Sequence, residues 1–131
     1  MRNLLLFAAL LIPLSVAATQ SDCANISTSQ QVDVCAKQAK ESADANLNVS
    51  YQRLIKRVGS QYQVDATLRD EFMKKLKESQ RAWLKLRDTN CALEAFEIEV
   101  GQPAYVTTVN NCVARMSLDR SVYLDKTLPD L

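Results

Sequence analysis

Residues 79–91 are the stretch that most constrains how this chain can fold. They contain no Gly or Pro and are rich in good helix formers, so they predict the middle of a helix. Residues three and four apart lie above one another on a helix, which places six side chains on one stripe: Phe72, Leu76, Gln80, Trp83, Arg87 and Cys91. The single tryptophan therefore stands between a glutamine and an arginine. Buried amide and guanidinium groups need partners, so the stripe predicts polar groups on a facing element.

Two further helices are indicated on either side of this one. Residues 27–31 offer several N-cap candidates with a glutamine three residues on, and the helix they begin is unbroken to about Val58. Gly59 and Ser60 are a plausible stop. Its expected apolar face consists of Val32, Ala36, Ala39, Ala43, Leu47, Tyr51, Leu54 and Val58, and the small residues in its first half allow a close approach by another helix.

The second helix is expected to start at an Asp65 cap and to reach Cys91 or Glu97. Residues 100–103 interrupt the pattern, and a third helix follows. Its expected apolar face consists of Val106, Val109, Val113, Met116, Arg120 and Leu124. No useful strand-like alternation is present. The sequence therefore predicts an all-α, up-down-up bundle of about three helices.

The first 18 residues have the pattern of a secretory signal peptide. Arg2 precedes an apolar run from residue 4 to residue 16, and small residues end at Ala18. The run is too short for a spanning helix, although a retained signal anchor is the alternative reading. We expect cleavage after Ala18, a single helical domain over residues 19–131, no stable membrane insertion, and export to the periplasm.

Charge and composition exclude several classes of function. The chain has 16 Lys and Arg, and loss of Arg2 leaves as many basic residues as the 15 acidic ones, which argues against a nucleic-acid partner. The chain contains no His, so the usual general base and the commonest metal ligand are missing. We therefore expect no enzyme activity, no metal site and no cofactor.

Four cysteines in a short exported chain imply two disulfides in an oxidising compartment. Three connectivities are possible. Cys91 and Cys112 flank the loop between the second and third helices, and Cys23 can fold back onto Cys35. We favour the pairs Cys23–Cys35 and Cys91–Cys112. Redox activity is the alternative, but there is no Cys-x-x-Cys motif.

Motifs along the chain resemble those of a known family. An A-D-x-x-L-N-x-x-Y pattern runs from Ala43 to Tyr51, and a Q-R-x-W-x-x-x-R-D-x-x-C pattern ends at Cys91. A cysteine and an arginine follow at Cys112 and Arg120. Together with Cys23 and Cys35, these resemble the LprI-like lysozyme inhibitor family. The resemblance implies a small exported helical domain that binds a protein partner such as lysozyme.

The motif residues are interpreted mainly as a folding device. Asp44, Asn48, Tyr51, Gln80, Trp83, Arg87 and Arg120 are expected on or beside the inner faces of the helices. A carboxylate that faces arginines, with amide side chains nearby, can form a polar core in which each buried donor and acceptor has a hydrogen-bond partner. Catalysis by Asp44 would need a second acid beside it, and none stands at helical spacing.

The binding site is expected instead at the end of the second helix. Glu94, Glu97 and Glu99 precede Gly101 and Gln102, which gives an acidic, protruding loop that a Cys91–Cys112 bridge would stiffen. An ordinary solvated helix end is the alternative reading of these acids. For function, the alternative to a lysozyme inhibitor is an envelope interaction module, or an immunity protein against another secreted toxin.

Overall fold

Three long helices make up the domain, as the sequence predicts. The computed structural model describes residues 22–129. Its elements are α1 (Ser29–Gln61), α2 (Ala66–Glu94) and α3 (Pro103–Lys126), and no strand occurs within those residues. The prediction of an all-α, up-down-up bundle is confirmed. The predicted signal peptide, residues 1–18, lies outside the described residues.

Local sequence signals set the helix ends. Thr28 caps α1 and forms a capping box with Gln31, and the side chain of Asp65 accepts a hydrogen bond from the backbone N–H of Leu68 at the start of α2. Pro103 opens α3, where a missing N–H costs nothing. The expected stop at residues 59–60 is wrong by a short distance: α1 continues to Gln61, because a single glycine only weakens a helix.

The main contact in the bundle joins α1 and α3, which run parallel. Three pairs of side chains report the register: Asp33 with Thr107, Asp44 with Ser117, and Ser50 with Asp125, at sequence separations of 74, 73 and 75. Small side chains line the interface and are buried: Ala36, Ala43, Ser50, Ala114, Ser117 and Ser121. They let the two backbones approach closely, as the small first half of the α1 face predicts.

The second helix runs antiparallel to both and is less deeply packed. Only Leu76 and Cys91 of α2 are buried, while the other members of the predicted stripe are half-buried. Leu76 joins the main apolar cluster, whose other buried members are Leu47, Leu54, Val58 and Leu124. The stripe therefore faces α1 and α3 as expected, but it forms the edge of the core and not its centre.

Parts of the expected apolar faces are exposed. Val32 and Val106 lie in the first turns of α1 and α3, where the neighbouring helices offer little cover, and both are exposed. Ala39 is also exposed. Three residues turn an α-helix by about 300°, so Ala39 lies about 60° around the helix from the buried Ala36 and at the margin of the buried face. Tyr51, Val109 and Met116 are half-buried.

Two disulfides crosslink one end of the bundle. Cys23 pairs with Cys35 and Cys91 pairs with Cys112, which confirms the favoured connectivity. Because α1 and α3 begin at the end where α2 finishes, both bridges lie toward this same end. We call it the tip. Within residues 22–129, none of the helices is both long enough and apolar enough to cross a membrane.

Candidate functional site

The tip carries the loop between α2 and α3, residues 95–102, which we call the tip loop. Glu97 and Glu99 are exposed on it, as are Gly101 and Gln102. Gly101 adopts a φ of 94°, a left-handed conformation that glycine accepts without strain. Gln102 is the N-cap residue of α3. Four of the five predicted binding residues are therefore displayed together, although their role in binding stays a prediction.

The fifth predicted binding residue, Glu94, is exposed at the end of α2, and its role in binding also stays a prediction. Its carboxylate accepts a hydrogen bond of 2.6 Å from Arg115 on α3, so it forms an ion pair and is not a free rim charge. The pair is half exposed at both side chains, where such pairs contribute little to stability. Within residues 22–129 neither Glu97 nor Glu99 forms an ion pair, so these two residues supply the free acidic charge of the tip loop.

The tip also displays large apolar side chains that were not predicted from the sequence, one at the end of α2 and two on the tip loop. Leu93 is 70% exposed, Phe96 81% and Val100 77%. Exposure of a phenylalanine side chain to water is unfavourable in free energy. Neighbouring exposed apolar residues are typical of interaction surfaces. The available signal was the composition of residues 93–100, which consists of five apolar residues and three glutamates with no Lys or Arg.

The tip loop is held in a defined conformation. Three backbone hydrogen bonds fold it into successive turns, donated by the N–H groups of Phe96, Ile98 and Gln102. Ala95 is fully buried and anchors it, and the Cys91–Cys112 bridge joins its two flanks. A loop constrained in this way loses little conformational freedom when it binds a partner.

A recess of about 420 Å³ adjoins the tip loop, between the first turns of α1 and α3. Gly101 and Pro103 form one edge, Val34 and Val106 add apolar surface, and Lys37 lies at the α1 side. The Asp33 carboxylate accepts a hydrogen bond from Thr107 across it. The recess extends the exposed surface of the tip beyond the loop itself.

The motif residues meet in a polar layer halfway along the bundle. One carboxylate oxygen of Asp44 accepts hydrogen bonds from Arg87 Nη1 at 3.2 Å and from Ser117 Oγ at 3.1 Å. Lys40 Nζ donates to its other oxygen at 2.9 Å. Arg87 also pairs with Asp88. Each helix thus contributes to one network, and Asp44 joins all three helices.

Trp83 lies beside two guanidinium groups in the same layer. Arg87 and Arg120 stand 5.4 and 5.7 Å from its ring, within the range of cation–π attraction. Arg120 donates to Gln80 Oε1 at 3.1 Å and to Ser79 Oγ at 2.8 Å. The structure brings Gln80, Trp83, Arg87 and Arg120 together, and it adds Ser79 and Ser117, which the motif reading did not include.

Asn48 departs from the expected polar core because it is exposed. Its neighbour Leu47 occupies the buried stripe, and the next residue points about 100° away. With Tyr51 and Gln80, Asn48 instead lines an open recess of about 280 Å³ between α1 and α2. Within residues 22–129 no group of three or more Cys, Asp and Glu side chains is placed to hold a metal ion.

Comparisons with known proteins give a consistent picture. Residues 21–124 match the family model described as Lysozyme inhibitor LprI. A protein of Rhizobium meliloti (strain 1021), named only as uncharacterized, is 30% identical over 122 residues, which cover 88% of this chain and 85% of the relative. The crystal structure of a DUF1311 family protein from Pseudomonas putida KT2440 superposes with a TM-score of 0.68 at 33% identity. It covers 79% of this chain and 96% of the other.

Proposed function

This chain belongs to the lysozyme inhibitor LprI family, and from that premise we propose that it is an exported protein that inhibits a lysozyme by direct contact through the tip. The observation that carries the proposal is the tip loop, which combines Phe96 and Val100 in water with the free acids Glu97 and Glu99. Contact with a protein would bury the apolar side chains and leave the acids at the rim.

The negative charge of the tip indicates which kind of protein it can bind. Residues 92–102 contain three glutamates and no Lys or Arg, and one of those glutamates is neutralised by Arg115. The remaining negative charge attracts a basic protein at a distance and repels an acidic one. Animal-type lysozymes are basic and have an open cleft with two catalytic carboxylates. We infer that the acids steer the encounter, while Phe96 and its apolar neighbours provide the contact.

Export fits the same proposal. Both cysteine pairs form disulfides, which persist in an oxidising compartment such as the periplasm. An exported protein would encounter a lysozyme that attacks the cell wall in this compartment, outside the inner membrane. The predicted signal peptide, residues 1–18, supports this location from the sequence alone.

The test is inhibition of a basic animal lysozyme in a turbidity assay on cell-wall suspensions, at two salt concentrations. The variant Glu97→Lys/Glu99→Lys reverses both free charges of the tip loop. We expect it to weaken inhibition about tenfold at low salt and less at high salt, because exposed charges are screened. Unfolding by urea should be nearly unchanged, since both side chains are exposed.

A matched control is Glu71→Lys/Glu78→Lys, which makes the same change of net charge on exposed residues of α2 outside the tip loop. It should inhibit nearly as wild type does. A third variant, Phe96→Ser, should weaken inhibition at both salt concentrations, because it removes apolar contact and no charge. Equal inhibition by all variants would move the site away from the tip, and no inhibition by the wild type would refute the proposed function.

A further inference from the structure

Arg120 on α3 is a buried cation whose hydrogen-bond partners in the described part of the chain are both neutral. The residue is 9% exposed. Its Nε and Nη2 groups donate to the amide oxygen of Gln80 and the hydroxyl of Ser79. Among residues 22–129, no carboxylate oxygen lies within 4.0 Å of its guanidinium nitrogens. Arg87 in the same layer, by contrast, is paired with Asp44 and Asp88.

A buried charge without a counter-ion is unfavourable. Burial lowers the pKa of Arg120 from its ordinary value, yet a guanidinium stays protonated at any physiological pH. The faces of Trp83 and Tyr123, 5.7 and 4.8 Å from the guanidinium carbon, compensate the charge only in part. An anion beside Arg120 would therefore be bound more strongly than it would be at an exposed arginine.

The third nitrogen of this guanidinium is accessible. Nη1 donates to no acceptor in the described part of the chain, and no buried side-chain nitrogen there lacks a partner, so Nη1 must be reached by solvent. Arg120 lines a recess of about 190 Å³ between α2 and α3. Lys75, whose side chain is 73% exposed, lines the same recess. Its Nζ lies 3.9 Å from the carboxylate of Glu71, so it adds only part of a second positive charge.

The remaining walls of the recess are mostly apolar. Phe72, Leu76, Tyr123 and Leu124 line it, and Ser79 and Thr127 are its uncharged polar residues. The recess is smaller than a typical drug-sized pocket, so it suits a ligand with few heavy atoms. Apolar walls around one buried cation favour a singly charged carboxylate with an apolar body over a strongly hydrated phosphate.

We propose that the recess between α2 and α3, which we call the Arg120 recess, binds a carboxylate carried on a short apolar group. Such a group is found on a small free carboxylic acid or on the C-terminal residue of a peptide. The recess lies in the half of α3 away from the tip, so this binding site is separate from the surface assigned to lysozyme contact.

The experiment follows the Nε–Hε resonance of Arg120 by NMR in isotope-labelled protein during titration with matched probes. Hexanoate is compared with hexanamide, and N-acetyl-glycyl-leucine is compared with its C-terminal amide. Inorganic phosphate is a fifth probe, and ionic strength is held constant. We expect both carboxylates to shift the resonance saturably and at least about tenfold more tightly than their amides. The tighter of the two carboxylates identifies the free acid or the peptide end as the source.

Variants test which residues are responsible for carboxylate binding. Lys75→Ala should weaken hexanoate binding about two- to fivefold, whereas Lys85→Ala, an exposed lysine elsewhere on α2, should leave it unchanged. Arg120→Met should abolish the preference for the carboxylate, as read from other resonances of the recess. If Arg120→Met does not fold, the comparison of the probes on the wild type and on the two lysine variants still tests whether the recess prefers a carboxylate.

Three results would overturn the proposal. One is equal affinity for hexanoate and hexanamide, and another is the absence of a saturable shift up to about 50 mM probe. The third is tighter binding of phosphate than of either carboxylate, which would assign the recess to a different class of anion. The lysozyme assay does not depend on any of these outcomes.

Discussion

Asp44→Ala is expected to be the most informative change for the stability of the bundle. Asp44 lies on α1, and its carboxylate is held by Arg87 of α2, Ser117 of α3 and Lys40 of its own helix. Truncation removes the acceptor for all three donors at once. Ser117 is fully buried, and the side chain of Arg87 is only 14% exposed, so neither partner can be fully rehydrated without a shift of structure.

The size of the effect follows from the exposure of the two partners. Breaking a fully buried ion pair costs about 3–5 kcal/mol, and a hydrogen bond to a charged group contributes about 1.5–3 kcal/mol. The Asp44 side chain is 34% exposed and Arg87 keeps its pair with Asp88, so solvent screening lowers the cost. We expect Asp44→Ala to lower the free energy of unfolding by about 2–3 kcal/mol.

Urea denaturation followed by circular dichroism measures this cost. Lys40→Ala is the internal control, because it removes a half-exposed partner of the same carboxylate and should cost about 0.5 kcal/mol or less. A double-mutant cycle with Arg87→Met should give a coupling free energy of about 1–2 kcal/mol. If Asp44→Ala costs no more than Lys40→Ala, the polar layer does not hold the helices together.

Two further predictions concern the core and the ends of the chain. Trp83→Ala should lower the free energy of unfolding by about 2–4 kcal/mol, somewhat less than for a fully buried tryptophan, because Trp83 is half-buried against the core cluster. The exposed neighbour Leu84→Ala should cost far less, and a loss below about 1 kcal/mol for Trp83→Ala would make the ring a surface feature. Intact-mass analysis of envelope protein should find a chain that begins near Thr19 and carries both disulfides; a full-length chain in the membrane fraction, or free thiols, would contradict export.

Local signals made most of the fold predictable. The caps at Thr28 and Asp65 depend on a few neighbouring residues, and the stripe around Trp83 depends only on helical spacing. The disulfides were predictable because antiparallel helices bring together cysteines that flank a short connection, as Cys91 and Cys112 do. These features need no knowledge of how the helices are arranged around one another.

What the sequence did not reveal depends on the arrangement of the helices. The pairing of Glu94 with Arg115 requires the register between α2 and α3, which no local pattern encodes. The exposure of Asn48 follows from the shallow contact between α1 and α2, which leaves a recess where a closer contact would have buried the side chain. Phe96 was overlooked because an apolar residue near a helix end is as compatible with a buried cap as with an exposed contact.

The parallel course of α1 and α3 has a practical consequence for handling the protein. Both helices start at the tip, so α3 ends at Lys126 on the far side of the bundle. At a rise of about 1.5 Å per residue, its 24 residues place roughly 36 Å between the two ends. An affinity tag, dye or surface linkage added after α3 therefore points the tip loop away from the support. The same attachment before α1 would place the label next to Cys23 and crowd the tip.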